Sequence, residues 1–325
     1  MVAIVALAAG KEAFCDYSHK FSPKKFTQPQ LFACLVLKEF EKKDYRGVAQ
    51  LLQDCSDLRE AIGLRWVPHY TTLQKAGRRL LKLKHVRPLL RDTVARVMRR
   101  RRTVRYGAGD SSGFEQRHAS RYYVHRRDND QRDENRPKKR VIYKRYGKLM
   151  LIVCCASHAI LGAVASRGPT PDIDQLDDVL ERVPQEVRIR HLVLDAGFDS
   201  AHNHRLLREG YGARSTIPPR HGRPALDPRT LPKDKYRRRM RTHFNRKAYR
   251  HRPQVETVIS MLKRNLGDSL RGRSQRSQNR DLYLRVLTHN ISLALLQVFY
   301  RAVHDPLFEF DPLFELIASR IFRML

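Results

Sequence analysis

Apolar and polar positions along the chain change period about a third of the way in. Residues 28–105 read as all helical. Leu31, Leu35 and Val36 open an apolar stripe, and Val48, Leu51 and Leu52 continue it after Gly47. A short segment at 58–62 and a helix at 70–81, after Val67-Pro68, follow. Continuous apolar runs at 148–156 and 159–166, divided by Ser157-His158, then predict antiparallel strands two and three. A first strand at 104–109, another at 187–194 and a fifth at 213–217 complete a sheet, with helices expected at 173–182, 204–209 and 281–299. The order β-β-β-α-β-α-β-α predicts an α/β fold, a mixed sheet flanked by helices and preceded by a small all-helical region.

The clearest helix begins at Pro253. Val255, Val258, Ile259, Leu262 and Leu266 recur at the i, i+3, i+4, i+7 spacing of a buried stripe. Proline suits a first turn, where its missing N–H has no helix partner. Glu256 and Lys263, seven residues apart, share a face beside that stripe. A carboxylate held at the border of a core by a rigid helix is well placed to be a metal ligand. Two further acids stand where strands are expected to end: Asp110 in Gly109-Asp-Ser-Ser-Gly113 and Asp195 in His191-Leu-Val-Leu-Asp-Ala-Gly197. Asp172 and Asp174, after Gly168-Pro169, need no role beyond acids at a helix N-terminus. Cys154-Cys155 read as packing residues on opposite faces of one strand.

Charge narrows the partner. The chain has 325 residues, with 65 Lys and Arg against 33 Asp and Glu, a formal net charge of +32. Folding does not need such an excess, and a polyanion, nucleic acid above all, is the economical explanation. Arginine dominates, and its guanidinium forks onto phosphate oxygens and guanine edges. The cluster Arg96, Arg99, Arg100, Arg101, Arg102 and Arg105 marks a domain junction; a charge run fits a solvated linker, and its position just ahead of the first strand favours phosphate contacts. Residues 117–145 mix dense charge with Tyr122, Tyr123 and Tyr143, as a long loop or hairpin against DNA would. Arg78, Arg79, Lys82 and Lys84 suit a helix-turn-helix-like reader with 70–81 in the groove; a plain helical cap fits equally.

Five cysteines at 15, 34, 55, 154 and 155 show no metal or disulfide framework, as expected in a reducing cytoplasm. The fourteen histidines read as surface or phosphate-side residues. The apolar stretch 1–10 is too short to span a membrane and lacks preceding basic residues, so a frayed terminus or misassigned start is expected. Nothing else reaches transmembrane length, and no membrane partner is expected. The division expected is a tail 1–27, a helical, DNA-binding or capping domain 28–103, an α/β domain 104–300 with a basic insertion 218–248, and a tail 301–325. That last tail repeats itself, Asp305-Pro-Leu-Phe-Glu309 and Asp311-Pro-Leu-Phe-Glu315.

Tyr249-x2-Arg252-x3-Glu256-x6-Lys263 resembles, without a gap, the Y-R-E-K signature of DDE transposases of bacterial insertion sequences. Asp110-Ser-Ser-Gly-Phe114 is similar to that family's first-aspartate motif, and Leu194-Asp-Ala-Gly-Phe-Asp199 to its second. The resemblance runs from Arg105 to Leu296 with the three motifs in order. It implies an RNase H-like catalytic domain, with Asp110, Asp195 and Glu256 as the catalytic acids. It also implies that Tyr249, Arg252 and Lys263 hold phosphates and end nucleotides of double-stranded DNA. Carboxylates are the hard oxygen ligands that two Mg²⁺ ions about 3.5–4 Å apart require, with Mn²⁺ able to substitute. The implied reaction is hydrolysis freeing a 3′-hydroxyl at the element end, then attack of that hydroxyl on target DNA, by a homodimer holding both ends at the bacterial nucleoid. A DNA-binding protein without catalysis, or an RNase H-fold nuclease without strand transfer, shares the same composition.

Overall fold

The computed structural model describes residues 1–99, 101–116, 146–220 and 232–304. The expected charged hairpin at 117–145, Arg100, part of the insertion (221–231) and the repeated tail lie outside the described residues.

Six helices open the chain: α1 (Val2–Ala13), α2 (Gln28–Phe40), α3 (Tyr45–Asp54), α4 (Ser56–Ala61), α5 (Tyr70–Leu80) and α6 (Leu83–Val97). A Thr27–Gln30 capping box starts α2, satisfying donors that a helix start leaves orphaned. Asp44 Oδ1 accepts the Gly47 N–H at 2.6 Å and does the same for α3. Residues 1–10 are not a frayed terminus. They form most of α1, with Val2, Val5 and Ala6 inside the main core. Small residues permit this: a Cβ on Gly10 would come within 3.0 Å of the Pro29 backbone of α2.

The sheet runs β4–β3–β2–β6–β7, built from β2 (Gly107–Gln116), β3 (Tyr146–Cys154), β4 (Ile160–Gly168), β6 (His191–Leu194) and β7 (Arg214–Thr216). The first three strands are antiparallel neighbours, while β6 and β7 run parallel to β2. Short strands β1 (Thr103–Val104) and β5 (Arg188–Ile189) pair separately, and β8 (Ser269–Leu270) adds to the far end of β2. Around the sheet lie α7 (Leu176–Leu180), α8 (Ala201–Arg205, continued by a π turn to Gly210), α9 (Lys235–Thr242), α10 (Arg246–Tyr249), α11 (Pro253–Leu266) and α12 (Gln275–His304). This order and these directions make the mixed, helix-flanked sheet an RNase H-like domain.

Several expectations shift. The first strand does not stop at Asp110 but runs through it to Gln116, pairing Asp110 with Leu151 of β3. The insertion is not all loop, since α9 forms there, capped by Asp234 on the Tyr236 and Arg237 N–H groups. The last helix starts six residues earlier than expected and is long and apolar enough to cross a membrane. It is instead the protein's central helix: 67% of its apolar 18-residue window is buried, and the helix packs against α1, α2, α6 and β4. Nor are the histidines all superficial, because His191, His204 and His289 are buried.

Candidate active site

The β2–β6 register assembles the first two acids. Gly107, Ala108 and Gly109 stand opposite Leu192, Val193 and Leu194, so one further step sets Asp110 level with Asp195, the residue just past the end of β6. Asp195 Oδ1 accepts the Ala196 N–H at 2.7 Å and caps the turn that ends β6. Asp110 Oδ1 accepts the Ser111 N–H at 2.8 Å. Both carboxylates are therefore oriented by backbone donors.

The third acid arrives on α11, whose buried face is Val255, Val258, Leu262 and Leu266. That face packs on β2 and β3 and leaves Glu256, in the first turn, exposed toward the sheet's acids. Arg252, immediately before the helix, ties the elements together. Its Nη2 donates to Asp110 Oδ2 at 2.9 Å and its Nη1 donates to Glu256 Oε1.

Electrostatics follow the geometry. Burial pushes the Asp110 carboxyl above its ordinary value; the Ser111 N–H and Arg252 pull it down, and Asp195 and Asp172 push it up again. For Arg252 burial would lower the guanidinium, but Asp110, Glu256 and Asp195 outweigh it and hold it raised. The Tyr249 hydroxyl is raised by burial and then by Asp195, and its ring meets Phe244 edge-on at 5.3 Å. Asp110, Asp195, Glu256, Tyr249 and Arg252 thus share one electrostatic neighbourhood. Lys263 stands apart from the acids, its Nζ 5.3 Å above the Phe114 ring, which also carries Arg285 at 5.5 Å.

Among the described residues no three His, Cys, Asp or Glu side chains sit tightly enough to hold a metal ion as they stand. Arg252 occupies the space between the carboxylates. The donor chemistry nonetheless fits a hard divalent cation: carboxylate oxygens, one on β2 and one just past β6, where burial and the charge of Asp195 raise Asp110.

The sequence reading gave no individual role to Asp199, His204 or Ser215, and too small a one to Asp172. Asp199, four beyond Asp195, is clasped by Arg237 of α9 and accepts the Arg220 N–H at 2.9 Å. His204 beside it, and Ser215 beyond His204, line up as a nucleophilic triad would, with His204 Nδ1 2.7 Å from Ser215 Oγ. All three are sealed from solvent and His204 Nε2 stops 3.7 Å from Asp199, so the set braces β6, α8 and β7 rather than reacting. Asp172 does more than sit at a helix start. It pairs with buried Lys148 of β3 and adds negative charge near Asp110. Only its spacing from Asp110 in three dimensions, invisible in sequence, reveals this.

Residues 107–291, more than half of the chain, match the family described as the transposase DDE domain. The chain belongs to the DDE transposase family. No curated protein sequence matches it. Among solved structures, the Mos1 strand transfer complex is 16% identical over 91% of the transposase and 83% of that chain, with a TM-score of 0.26. The Mos1 mariner paired end complex with Mn gives 15%, 94%, 87% and 0.22. A pre-cleavage Mos1 transpososome gives 16%, 91%, 83% and 0.20. The transposase's matched segment spans β2 through the Asn290 turn of α12, and so contains Asp110, Asp195, Glu256, Tyr249, Arg252 and Lys263.

Proposed function

We propose that this transposase cleaves double-stranded DNA at insertion-sequence ends and joins the freed 3′-hydroxyl to target DNA, using Asp110, Asp195 and Glu256 as its catalytic acids. The observation that carries this reading is the β2–β6 register, which sets Asp110 level with Asp195, together with Arg252, which ties Asp110 to Glu256. The same three carboxylates would hold two Mg²⁺ ions, with Mn²⁺ as a substitute, and the metal pair would activate the attacking oxygen and neutralise the departing one. Arg252 orients the acids and presents its guanidinium where a scissile phosphate would lie. Tyr249 flanks that position beside Asp195. Lys263, two helical turns from Glu256 and propped on Phe114, would reach a phosphate further along the strand.

The exposed arginines of α9, Arg238, Arg239 and Arg241, are followed in the chain by exposed Arg246, Lys247 and Arg250, a continuation of the basic surface. Such a surface suits the backbone of terminal repeats and target alike. Two ends must be brought together, which calls for a homodimer in the complex, acting at the bacterial nucleoid in the cytoplasm and not at a membrane.

The test is excision from a donor plasmid carrying the gene's own flanking DNA, comparing wild type with Asp195→Asn and Glu256→Gln. Metal-dependent release of a discrete fragment by wild type alone, with DNA binding retained in both variants, is the expected result. Binding by wild type without cleavage would leave a non-catalytic binder, and cleavage without joining would leave a nuclease.

A further inference from the structure

A cleft between the end of α6, β1 and the last turns of α12 takes no part in the chemistry above. It encloses about 790 Å³. Val97 and Val104 form an apolar floor, Leu293 lines the wall, and Leu296 stands 60% exposed at the edge. Around it lie Arg99, Arg101 and Arg105, all exposed. Arg99 donates to Gln297 Oε1 at 3.1 Å and Arg105 lies over the Tyr106 ring. Among the described residues, no carboxylate lines the cleft, and Arg99, Arg101 and Arg105 form no ion pair with one. An apolar cleft ringed by cations not matched to carboxylates suits an occupant that is both aromatic and acidic.

The chain carries such a segment directly after α12. Asp305-Pro-Leu-Phe-Glu309 and Asp311-Pro-Leu-Phe-Glu315 place Phe308, Phe314 and four carboxylates in a stretch without Lys or Arg until Arg320, in a protein with 65 basic residues against 33 acidic ones. We propose that this acidic, aromatic tail docks in its own chain's cleft, with Phe308 and Phe314 on the apolar floor and the carboxylates on Arg99, Arg101 and Arg105.

Reach favours the chain's own tail. Leu296 lies eight residues before the end of α12, about 12 Å along the axis. About four extended residues cover that return. Pro306 has no N–H to continue the helix and so suits a reversal there. Tethering also gives a short tail an effective concentration of about millimolar, which a second copy's tail reaches only in concentrated solution. One consequence rests on the DNA reading above, whereas the docking does not: phosphates and tail carboxylates would compete for the same three arginines.

Photo-cross-linking on the full chain tests this, with a benzophenone side chain placed at position 308 or 314 and the adducts mapped by mass spectrometry. Adducts are expected within 97–105 and 293–300 on monomer-sized species, falling at least about five-fold in Leu296→Asp and in Arg101→Glu, both surface changes. Adducts elsewhere, adducts joining two chains, or a yield unmoved by both substitutions would overturn the docking. Saturating duplex DNA should then lower the yield. An unchanged yield would overturn the competition while leaving the mapped docking in place.

Discussion

Arg237 grips Asp199 with a two-pronged fork, Nε to Oδ1 and Nη2 to Oδ2, each at 2.9 Å. The carboxylate is 1% exposed; burial pushes it up, but His204, Arg237 and the Arg220 N–H together hold it well below the usual range. The pair pins the basic helix α9 to the turn that follows Asp195. Asp199→Asn should cost about 1.5–3 kcal/mol in urea unfolding, and amide exchange across 235–242 should accelerate more than in the sheet.

Gly109 sits between β6 and β3 with no room for a methyl group. A Cβ there would come within 2.6 Å of Leu194 Cδ2 and 3.3 Å of the Leu151 carbonyl. Leu194 is fully buried and precedes Asp195. Gly109→Ala should therefore cost about 1–3 kcal/mol and displace the two aspartates relative to each other. Excision should fall by about 100-fold, more than the loss of folded protein accounts for. Parallel measurement of excision and thermal stability checks the split.

Arg285 satisfies three elements at once. It donates to Glu39 Oε1 at 2.9 Å, to the Gly267 carbonyl at 2.8 Å and to the Ser269 carbonyl at 2.7 Å. Arg285→Met should cost about 3–5 kcal/mol because it leaves Glu39 buried with Lys38 as its cation. Adding Glu39→Gln should restore part of that loss, a non-additivity that a double-mutant cycle of denaturant midpoints would reveal.

His289 predicts acid sensitivity. Burial pushes its imidazole down to about 4, although its contact with the His158 carbonyl at 3.1 Å opposes this. The unfolded chain takes up a proton near pH 6.5 that the folded one refuses, so stability is full above that pH and falls as pH drops toward 4. The loss from this group is about 3 kcal/mol across the window. His289→Gln should flatten the pH dependence of the unfolding midpoint between 6.5 and 4.

What the sequence showed depended on whether a residue's role is local. The stripe of α11 and the apolar runs of β3 and β4 carry their own periodicity, and both form as expected within a few residues. Gly107 to Gly113 has the composition of a turn, yet it forms a strand because β3 and β6 close on both sides of small residues. Helix α9 was hidden by prolines nearby and by lacking an apolar stripe; Met240 is its one buried residue. Position in a motif located Asp110, Asp195 and Glu256. The bridging of Asp110 and Glu256 by Arg252, and the Lys148–Asp172 pair behind them, are long-range contacts without a sequence period.

The Glu39–Arg285 pair also bears on how such a protein could be recombined. The opening helices share one continuous core with the sheet, and a buried charge on α2 is matched by one on α12. Exchanging the helical region for that of another transposase, to give it new ends to read, would strand Arg285 in the interior unless the donor brought an acid to the same place. The N-terminal helices are therefore not a plug-in cassette, and a working chimera would have to be cut so that both partners of that pair travel together.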